Sequence, residues 1–194
     1  MDNNVFYVDN YSGGGRPTGN RFGLRGRWLN TRIFENADHH KDFKKWGGAN
    51  VKPLWSLDEL CNGITDEGIH YNLDTAFTNN DTAETAWYAG LINNAGFTGV
   101  DATDVMSSHS GWAESTDYTE SVRQTLSFAA AASRSITAEV SFTMNATVTI
   151  DGLFVVTNNT KGGTSGVLWS TALYSTGPDL ESGNVLTSNY TLSD

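Results

Sequence analysis

The segment EVSFTMNATVTID, residues 139–151, alternates apolar and polar side chains along its length. Serine, threonine and asparagine occupy its odd-numbered positions from residue 141 to residue 149. The apolar side chains fall on even-numbered positions: Val140, Phe142, Met144, Ala146, Val148 and Ile150. Because successive side chains of a β-strand point to opposite faces of a sheet, this period of two predicts a strand or a hairpin with one buried face.

Short segments rich in β-branched and aromatic residues surround this alternating segment. Two of them, TAWYAGLI at residues 85–92 and VRQTLSF at residues 122–128, precede it. Three more, LFVVTNN, GVLWSTALY and NVLTSNYTL, follow at turn-like intervals. Such a series is typical of an antiparallel β-sandwich or jelly roll. We therefore predict a mainly β fold, in which an antiparallel sandwich or jelly-roll-like body has one or two short helices and an extended N-terminal arm.

The stretch TKGGTSG, residues 160–166, places a lysine among glycines and threonines between two predicted strands. Gly162 and Gly163 can adopt the positive φ values that tight turns require, which favours a hairpin loop. A structural role for Lys161 is therefore favoured over a ligand-binding role. Three side chains nevertheless stay candidates for exposed recognition: Trp112, Lys161 and Trp169.

Two helical signals precede the body strands. Ser56 and Glu59 form a capping-box pattern, which predicts a very short helical turn. A longer helix is predicted from about residue 66 to residue 77, with Thr65 as its N-cap and acidic residues in its first turn. Its apolar side chains share one face, which we expect to pack against the body: Ile69, Leu73, Ala76 and Phe77.

The chain of 194 residues has a net charge of −10 that is unevenly distributed. Residues 1–52 contain nine basic and five acidic residues, a net charge of +4, whereas the remainder contains three basic and 17 acidic residues, a net charge of −14. The first segment is also rich in glycine, and its aromatic residues follow no helical or strand period. Such a segment is suited to lying extended on another surface and becoming ordered there.

We therefore divide the chain into an extended basic arm, residues 1–54, and a β-sandwich body, residues 55–194. Charge would steer the arm to an acidic protein surface, and its aromatic side chains would anchor it. Removing residues 1–52 should then leave a folded body. The arm residues predicted to bind the partner are Arg16, Arg21, Phe22, Arg25, Arg27, Trp28, Arg32, Phe34 and Trp46. Nucleic acid is a less favourable partner, because the acidic body would repel it.

Patterns that would indicate catalysis or metal binding are weak. GGRPTGNR, residues 14–21, has glycines spaced like those of a phosphate-binding loop, but Asn20 occupies the position that requires lysine. The adjacent His39 and His40 would point apart in an extended chain. We predict a protein that is not an enzyme, with no catalytic residues, no metal site and no cofactor.

The single cysteine, Cys61, excludes an intrachain disulfide. The first ten residues lack the basic start and apolar run of a secretory signal. No window approaches the roughly 18 consecutive apolar residues that a membrane-spanning helix needs. We therefore expect synthesis and assembly in a reducing cytoplasm, without a membrane partner.

Three motifs occur in order within the body: AWYAGLI at residues 86–92, GWAESTDYTESVR at residues 111–123 and TKGGTSGVLWS at residues 160–170. Together with the helix segment ITDEGIHYNLD, they make residues 64–192 resemble a group of small structural proteins encoded by tailed bacteriophages. The resemblance does not extend to the arm. Three tryptophans correspond to the signature aromatics of that group, and we interpret them as core or interface residues: Trp87, Trp112 and Trp169.

The resemblance implies a non-enzymatic virion protein that is assembled in the host cytoplasm. The favoured placement is a capsid decoration or cement protein, whose arm would clamp major capsid subunits against the pressure of packaged DNA. One alternative is a neck, tail or fibre-attachment component, and a second is a host-glycan-binding module. The expected partners are the major capsid protein or other virion subunits, and a homo-oligomer such as a trimer is also expected.

Overall fold

The computed structural model describes residues 25–46 and 51–193, without the side chain of Trp46. These residues form eleven strands and two α-helices. The strands are β1 (Arg25–Phe34), β2 (Trp55–Cys61), β3 (Gly63–Ile64), β4 (Tyr88–Asn93), β5 (Ala113–Ser115), β6 (Gln124–Thr125), β7 (Ser135–Thr143), β8 (Val148–Val156), β9 (Leu168–Leu173), β10 (Asp179–Leu180) and β11 (Val185–Ser193). The helices are α1 (Ala37–Trp46) and α2 (Asp66–Leu73), and a π-helical turn, Asp74–Thr78, continues α2.

The strands form two antiparallel sheets. The smaller sheet has the order β2-β1-β11-β7, and the larger has the order β3-β9-β8-β4-β5, with β10 paired to β8 and β6 to β4. Because β7 and β8 belong to different sheets, residues 144–147 take the chain from one sheet to the other. The alternating segment 139–151 therefore contributes to both sheets, and its even-numbered Val140, Phe142 and Ile150 are buried in one shared core.

The main core lies between the two sheets. Trp28 and Phe142 of the smaller sheet and Leu91 and Leu153 of the larger sheet are fully buried in one cluster. Burying an apolar side chain of this size stabilises a fold by about 1.5–3 kcal/mol relative to leaving it exposed. This architecture confirms the predicted mainly β fold with an antiparallel, sandwich-like body and short helices.

A second apolar cluster covers the other face of the larger sheet. The chain between β4 and β5 returns across this face, where Met106 and Trp112 pack with Phe154 and Val156 of β8. Strand β8 is therefore covered on both sides. This double burial explains why LFVV, residues 153–156, is a continuous apolar run and not an alternating one.

The structure corrects the predicted arm over residues 25–46. Residues 25–34 are not extended away from the body but form β1, which lies between β2 and β11 and pairs with both. Trp28 is buried in the core, and Phe34 is buried beneath α1, where its ring centre lies 5.1 Å from that of Phe43. The apolar residues of this segment are thus buried by the protein's own sheets and helix, so the predicted boundary at residue 54 is wrong.

The capping-box pattern at Ser56–Glu59 is not a helical turn. It lies in β2, an edge strand whose ladder partner is β1. Trp55 and Leu57 pack against the core, and this burial outweighs the local helical signal. Asp58 and Glu59 are exposed, and charges on an edge strand oppose pairing with another chain.

The helix predicted at residues 66–77 is present as α2 and the π-helical turn. Thr65 is its N-cap, and its hydroxyl accepts a hydrogen bond from the Gly68 amide at 3.0 Å. The predicted packing face is wrong, because Gly68 and Tyr71 are the buried residues of α2. Phe77, on the predicted face, is 80% exposed.

Candidate functional site

An apolar cleft of about 210 Å³ opens at one end of the sandwich, where β1 and β7 begin and β11 ends. The ring centres of Tyr71 and Trp87 lie 5.6 Å apart, as do those of Trp87 and Trp169, and both pairs meet edge to face. We call this feature the aromatic cleft. Its lining includes Tyr71, Trp87, Phe128, Ile136, Trp169 and Leu192.

The tyrosine hydroxyls and the Trp169 indole of the aromatic cleft are already hydrogen-bonded within the protein. The Trp169 indole Nε1 donates to the Tyr190 hydroxyl at 2.8 Å, and Asn62 Nδ2 donates to the same hydroxyl at 3.3 Å. The Tyr71 hydroxyl accepts a hydrogen bond from the Glu84 amide at 2.5 Å. Burial raises the pKa of the Tyr190 hydroxyl, which therefore stays protonated. The cleft offers an occupant mainly apolar surface.

Helix α2 fixes Trp169 at the wall of the cleft. The Thr65 amide donates to the Trp169 carbonyl at 3.0 Å, and the Leu168 amide donates to Glu67 Oε2 at 2.7 Å. Gly68 permits this close approach, because a Cβ at that position would lie 2.6 Å from the Trp169 carbonyl oxygen. Partial burial raises the pKa of the Glu67 carboxyl, and the hydrogen bond from Leu168 opposes that shift.

The second and third sequence motifs, residues 111–123 and 160–170, meet in a buried ionic network. The Arg123 side chain is fully buried, and the Glu114 side chain is 5% exposed. Arg123 Nε donates to Glu114 Oε1 at 3.0 Å and its Nη2 donates to Glu114 Oε2 at 2.7 Å, a bidentate pairing. The same guanidinium donates to the Asn158 carbonyl at 2.8 Å and the Gly163 carbonyl at 2.7 Å. We call these four residues the Arg123 network.

Lys161 strengthens the same junction. Its Nζ donates to the carbonyls of Tyr118 and Glu120, each at 2.8 Å, and lies 4.3 Å from the centre of the Tyr118 ring. Burial is the main cause that raises the pKa of the Tyr118 hydroxyl, and the Glu114 carboxylate adds to the shift. The lysine therefore ties the loop between β8 and β9 to the segment before β6, which is a structural role.

In the loop between β8 and β9, Gly162 and Gly166 have positive φ values. Gly162 has a φ of 73°, and its amide donates to Glu114 Oε2 at 2.8 Å, so its turn completes the Arg123 network. Gly163, which could also adopt a positive φ, does not do so. Gly166 has a φ of 102° instead, just before the chain enters β9.

Trp112 and Trp169 are core residues and not exposed recognition residues. Trp112 is 4% exposed and Trp169 is 6% exposed. The Trp112 indole Nε1 donates to Asp104 Oδ2 at 2.9 Å, and the His109 ring stacks on the indole at 3.9 Å. The prediction of exposed recognition is therefore wrong for both tryptophans, because loops and helix α2 cover them.

Three arginines of the predicted arm lie on the outward face of the smaller sheet. Arg25, Arg27 and Arg32 occupy β1 positions whose side chains point away from the core that Trp28 fills. Arg27 Nη1 donates to Glu59 Oε1 at 3.3 Å, and both side chains are partly exposed. The Arg32 guanidinium lies 5.8 Å from the centre of the Phe43 ring of α1. We call Arg25, Arg27 and Arg32 the arginine face.

The other predicted arm contacts divide into two groups. Trp28 is 0% exposed and Phe34 is 1% exposed, so neither can bind a partner in the folded protein. Their prediction is wrong, because β1 is an interior strand and α1 covers its outer end. The remaining predicted contacts lie outside the described residues: Arg16, Arg21, Phe22 and the side chain of Trp46.

Residues 25–46 and 51–193 contain no group of three or more histidine, cysteine, aspartate or glutamate side chains that could hold a metal ion. His39 and His40 lie on α1, where His39 Nδ1 contacts Glu35 Oε2 at 3.1 Å and the His40 ring stacks on Phe34. Within the same described part of the chain, no helix is long and apolar enough to cross a membrane.

Sequence reasoning missed the residues that build both features. Glu114 and Arg123 are nine positions apart in a segment without helical spacing, so nothing local indicates that they form a pair. Phe128 and Tyr190 are remote in sequence, yet their ring centres lie 6.3 Å apart in the fold. The spacing of Tyr71 from Gly68, one helical turn, is the signal that would have indicated the true packing face of α2.

The chain is a two-sheet antiparallel β protein in which a buried ionic network joins loops that are distant in sequence. Comparisons of the chain with protein-family models, curated proteins and solved structures find no match.

Proposed function

We propose that the chain is a non-enzymatic structural protein of a bacteriophage particle, and that it binds the capsid as a decoration or cement protein. The observation that supports this proposal is that residues of the three sequence motifs stabilise the folded body. The Arg123 network joins the second motif to the third, and the first motif forms β4 in the larger sheet. Motif residues with this stabilising role make the body rigid, as a structural subunit of a particle requires.

The arginine face is the surface that we propose contacts the capsid. It presents cations on one side of a chain whose residues after position 52 have a net charge of −14. Complementary charge would steer docking onto an acidic capsid surface. Arg16 lies in the segment that precedes Arg25, so it would extend the same contact.

A binding measurement on capsids stripped of this protein tests the proposal. We expect Arg25→Glu/Arg27→Glu to bind about tenfold more weakly than the unaltered chain, since losing complementary charge slows association. Added salt should weaken capsid binding by the unaltered chain. The difference in affinity between the unaltered chain and the variant should therefore become smaller. The control is Lys52→Glu, an exposed cation outside the arginine face. Equal loss in both variants, or no binding by the unaltered chain, would count against the proposal.

The neck or tail placement is the second candidate within the same class. Stoichiometry at saturation separates the two placements. Binding in numbers comparable to the major capsid protein supports cement, whereas binding in numbers comparable to the portal supports a neck component.

A further inference from the structure

Strand β1 begins at the rim of the aromatic cleft. Gly26 pairs with Leu192 of β11, and Leu192 pairs in turn with Ile136 of β7. Leu192 and Ile136 both line the cleft. The segment that precedes β1 therefore enters the sheet beside this opening.

The strands beside β1 give little pairing for residues before Arg25. On one side β2 ends at Cys61, and the next residue, Asn62, donates its amide to the Gly26 carbonyl at 3.3 Å before the chain turns into β3. On the other side β11 ends at Ser193, which is the partner of Arg25. The described strands therefore offer no ladder partner for residues before Arg25.

The nearest apolar residues before β1 are Leu24 and Phe22. At about 3.3 Å per residue, the chain between Gly26 and Leu24 spans at most roughly 7 Å, and the chain between Gly26 and Phe22 spans at most roughly 13 Å. These lengths are sufficient to reach the cleft, because its rim residue Leu192 is the ladder partner of Gly26.

The size and chemistry of the cleft select its occupant. Its volume of about 210 Å³ is below the roughly 300–1,000 Å³ of pockets for drug-sized ligands. A sugar would need hydrogen-bonding partners, but the ring hydroxyls and the Trp169 indole are already bonded within the protein. One apolar or aromatic side chain fits these surroundings better, because edge-to-face ring contacts are favourable.

We propose that the aromatic cleft is the docking site of the chain's own residues 20–24, with the Phe22 ring inside the cleft and Leu24 at its rim. A tethered segment has an effective concentration that reaches the millimolar range for short flexible linkers. A weak contact between one side chain and the cleft is therefore sufficient for docking. This inference does not depend on a role in a virus particle.

Photo-crosslinking in the full chain tests the docking directly. Phe22 is replaced by p-benzoylphenylalanine, and the crosslinked peptides are identified by mass spectrometry. We expect crosslinks to peptides that contain Trp87, Phe128 or Leu192. Because tethering sets the local concentration, these crosslinks should persist on dilution by about a hundredfold. The same photoreactive residue at Tyr7 is the positional control and should give far fewer of them.

A rim substitution separates docking from chance proximity. Ile136→Lys places a charge at the rim and should abolish the crosslinks, whereas Thr137→Lys on the adjacent, exposed position should leave them unchanged. Three outcomes would overturn the proposal. Crosslinked dimers that vanish on dilution would assign the cleft to a second copy, crosslinks elsewhere on the body would place the segment away from the cleft, and no crosslinks at all would leave the cleft to a different molecule.

Discussion

Replacing Arg123 with methionine is expected to reduce the free energy of unfolding by about 3–5 kcal/mol, the usual cost of removing one partner of a buried ion pair. The Glu114 carboxylate would stay buried without its cation. The carbonyls of Asn158 and Gly163 would lose their donors, and Phe154 would lose the guanidinium that lies 5.3 Å from its ring centre. Urea unfolding followed by tryptophan fluorescence measures the change.

The control is an ion pair of the same chemistry at the surface. Arg27→Met removes the cation that contacts Glu59, where the two side chains are 37% and 49% exposed. Exposed pairs contribute about 1 kcal/mol or less. A loss in Arg123→Met no larger than that in Arg27→Met would contradict the structural role of the Arg123 network. Adding Glu114→Gln to Arg123→Met should restore part of the loss, because the uncompensated charge is then removed.

Deleting residues 1–34 is expected to prevent folding, whereas deleting residues 1–24 is expected to leave a cooperatively folded body. The longer deletion removes β1, which pairs with β2 on one side and β11 on the other. It also removes Trp28 and Ile33 from the core. The shorter deletion removes no described residue. This expectation replaces the one drawn from the sequence, that a chain without residues 1–52 would fold.

Amide dispersion in two-dimensional NMR spectra and the cooperativity of thermal unfolding measure the outcome. Trp28→Ala is a matched point variant, because it keeps the strand and removes its largest buried side chain, at a cost of about 3–5 kcal/mol. A dispersed spectrum from the chain without residues 1–34 would show that β1 is dispensable. The assignment of this segment to the body would then be wrong.

The β architecture was predictable because alternation is set by the chain itself. In residues 139–151 the buried and exposed positions follow directly from the pleat of a strand, whichever sheet receives it. The fully apolar run at residues 153–156 gave a weaker signal. This run is apolar on both faces because Trp112 and Met106 of the second apolar cluster cover the outer face of the larger sheet.

The assignment of residues 25–34 to the arm was wrong because composition was given more weight than the alternation of inward and outward side chains. Glycines and arginines around Trp28 favour an extended surface segment, yet the arginines all point outward while Trp28 points inward. A bulge between Leu29 and Arg32 shifts the register, so a strict period of two is broken within the strand. Residues 25–34 form a strand because they pair with β11. That pairing joins residues far apart in the chain, so no short stretch of sequence indicates it.

The candidate site was least predictable, because its contacts join distant positions. Lys161 was favoured for a structural role, and its hydrogen bonds to Tyr118 and Glu120 span 43 and 41 residues of sequence. The aromatic cleft combines α2, both sheets and the chain before β4. Only the sheet order brings these elements to one end of the body.

A cryo-EM reconstruction of the particle whose genome encodes this chain is the most direct test of the proposed capsid role. We expect density for the β-sandwich on the outer shell, with the arginine face, including Arg25 and Arg27, against major capsid subunits and the acidic body towards solvent. Density confined to the neck or tail would replace the cement placement. Absence of the chain from purified, infectious particles would contradict the proposed function.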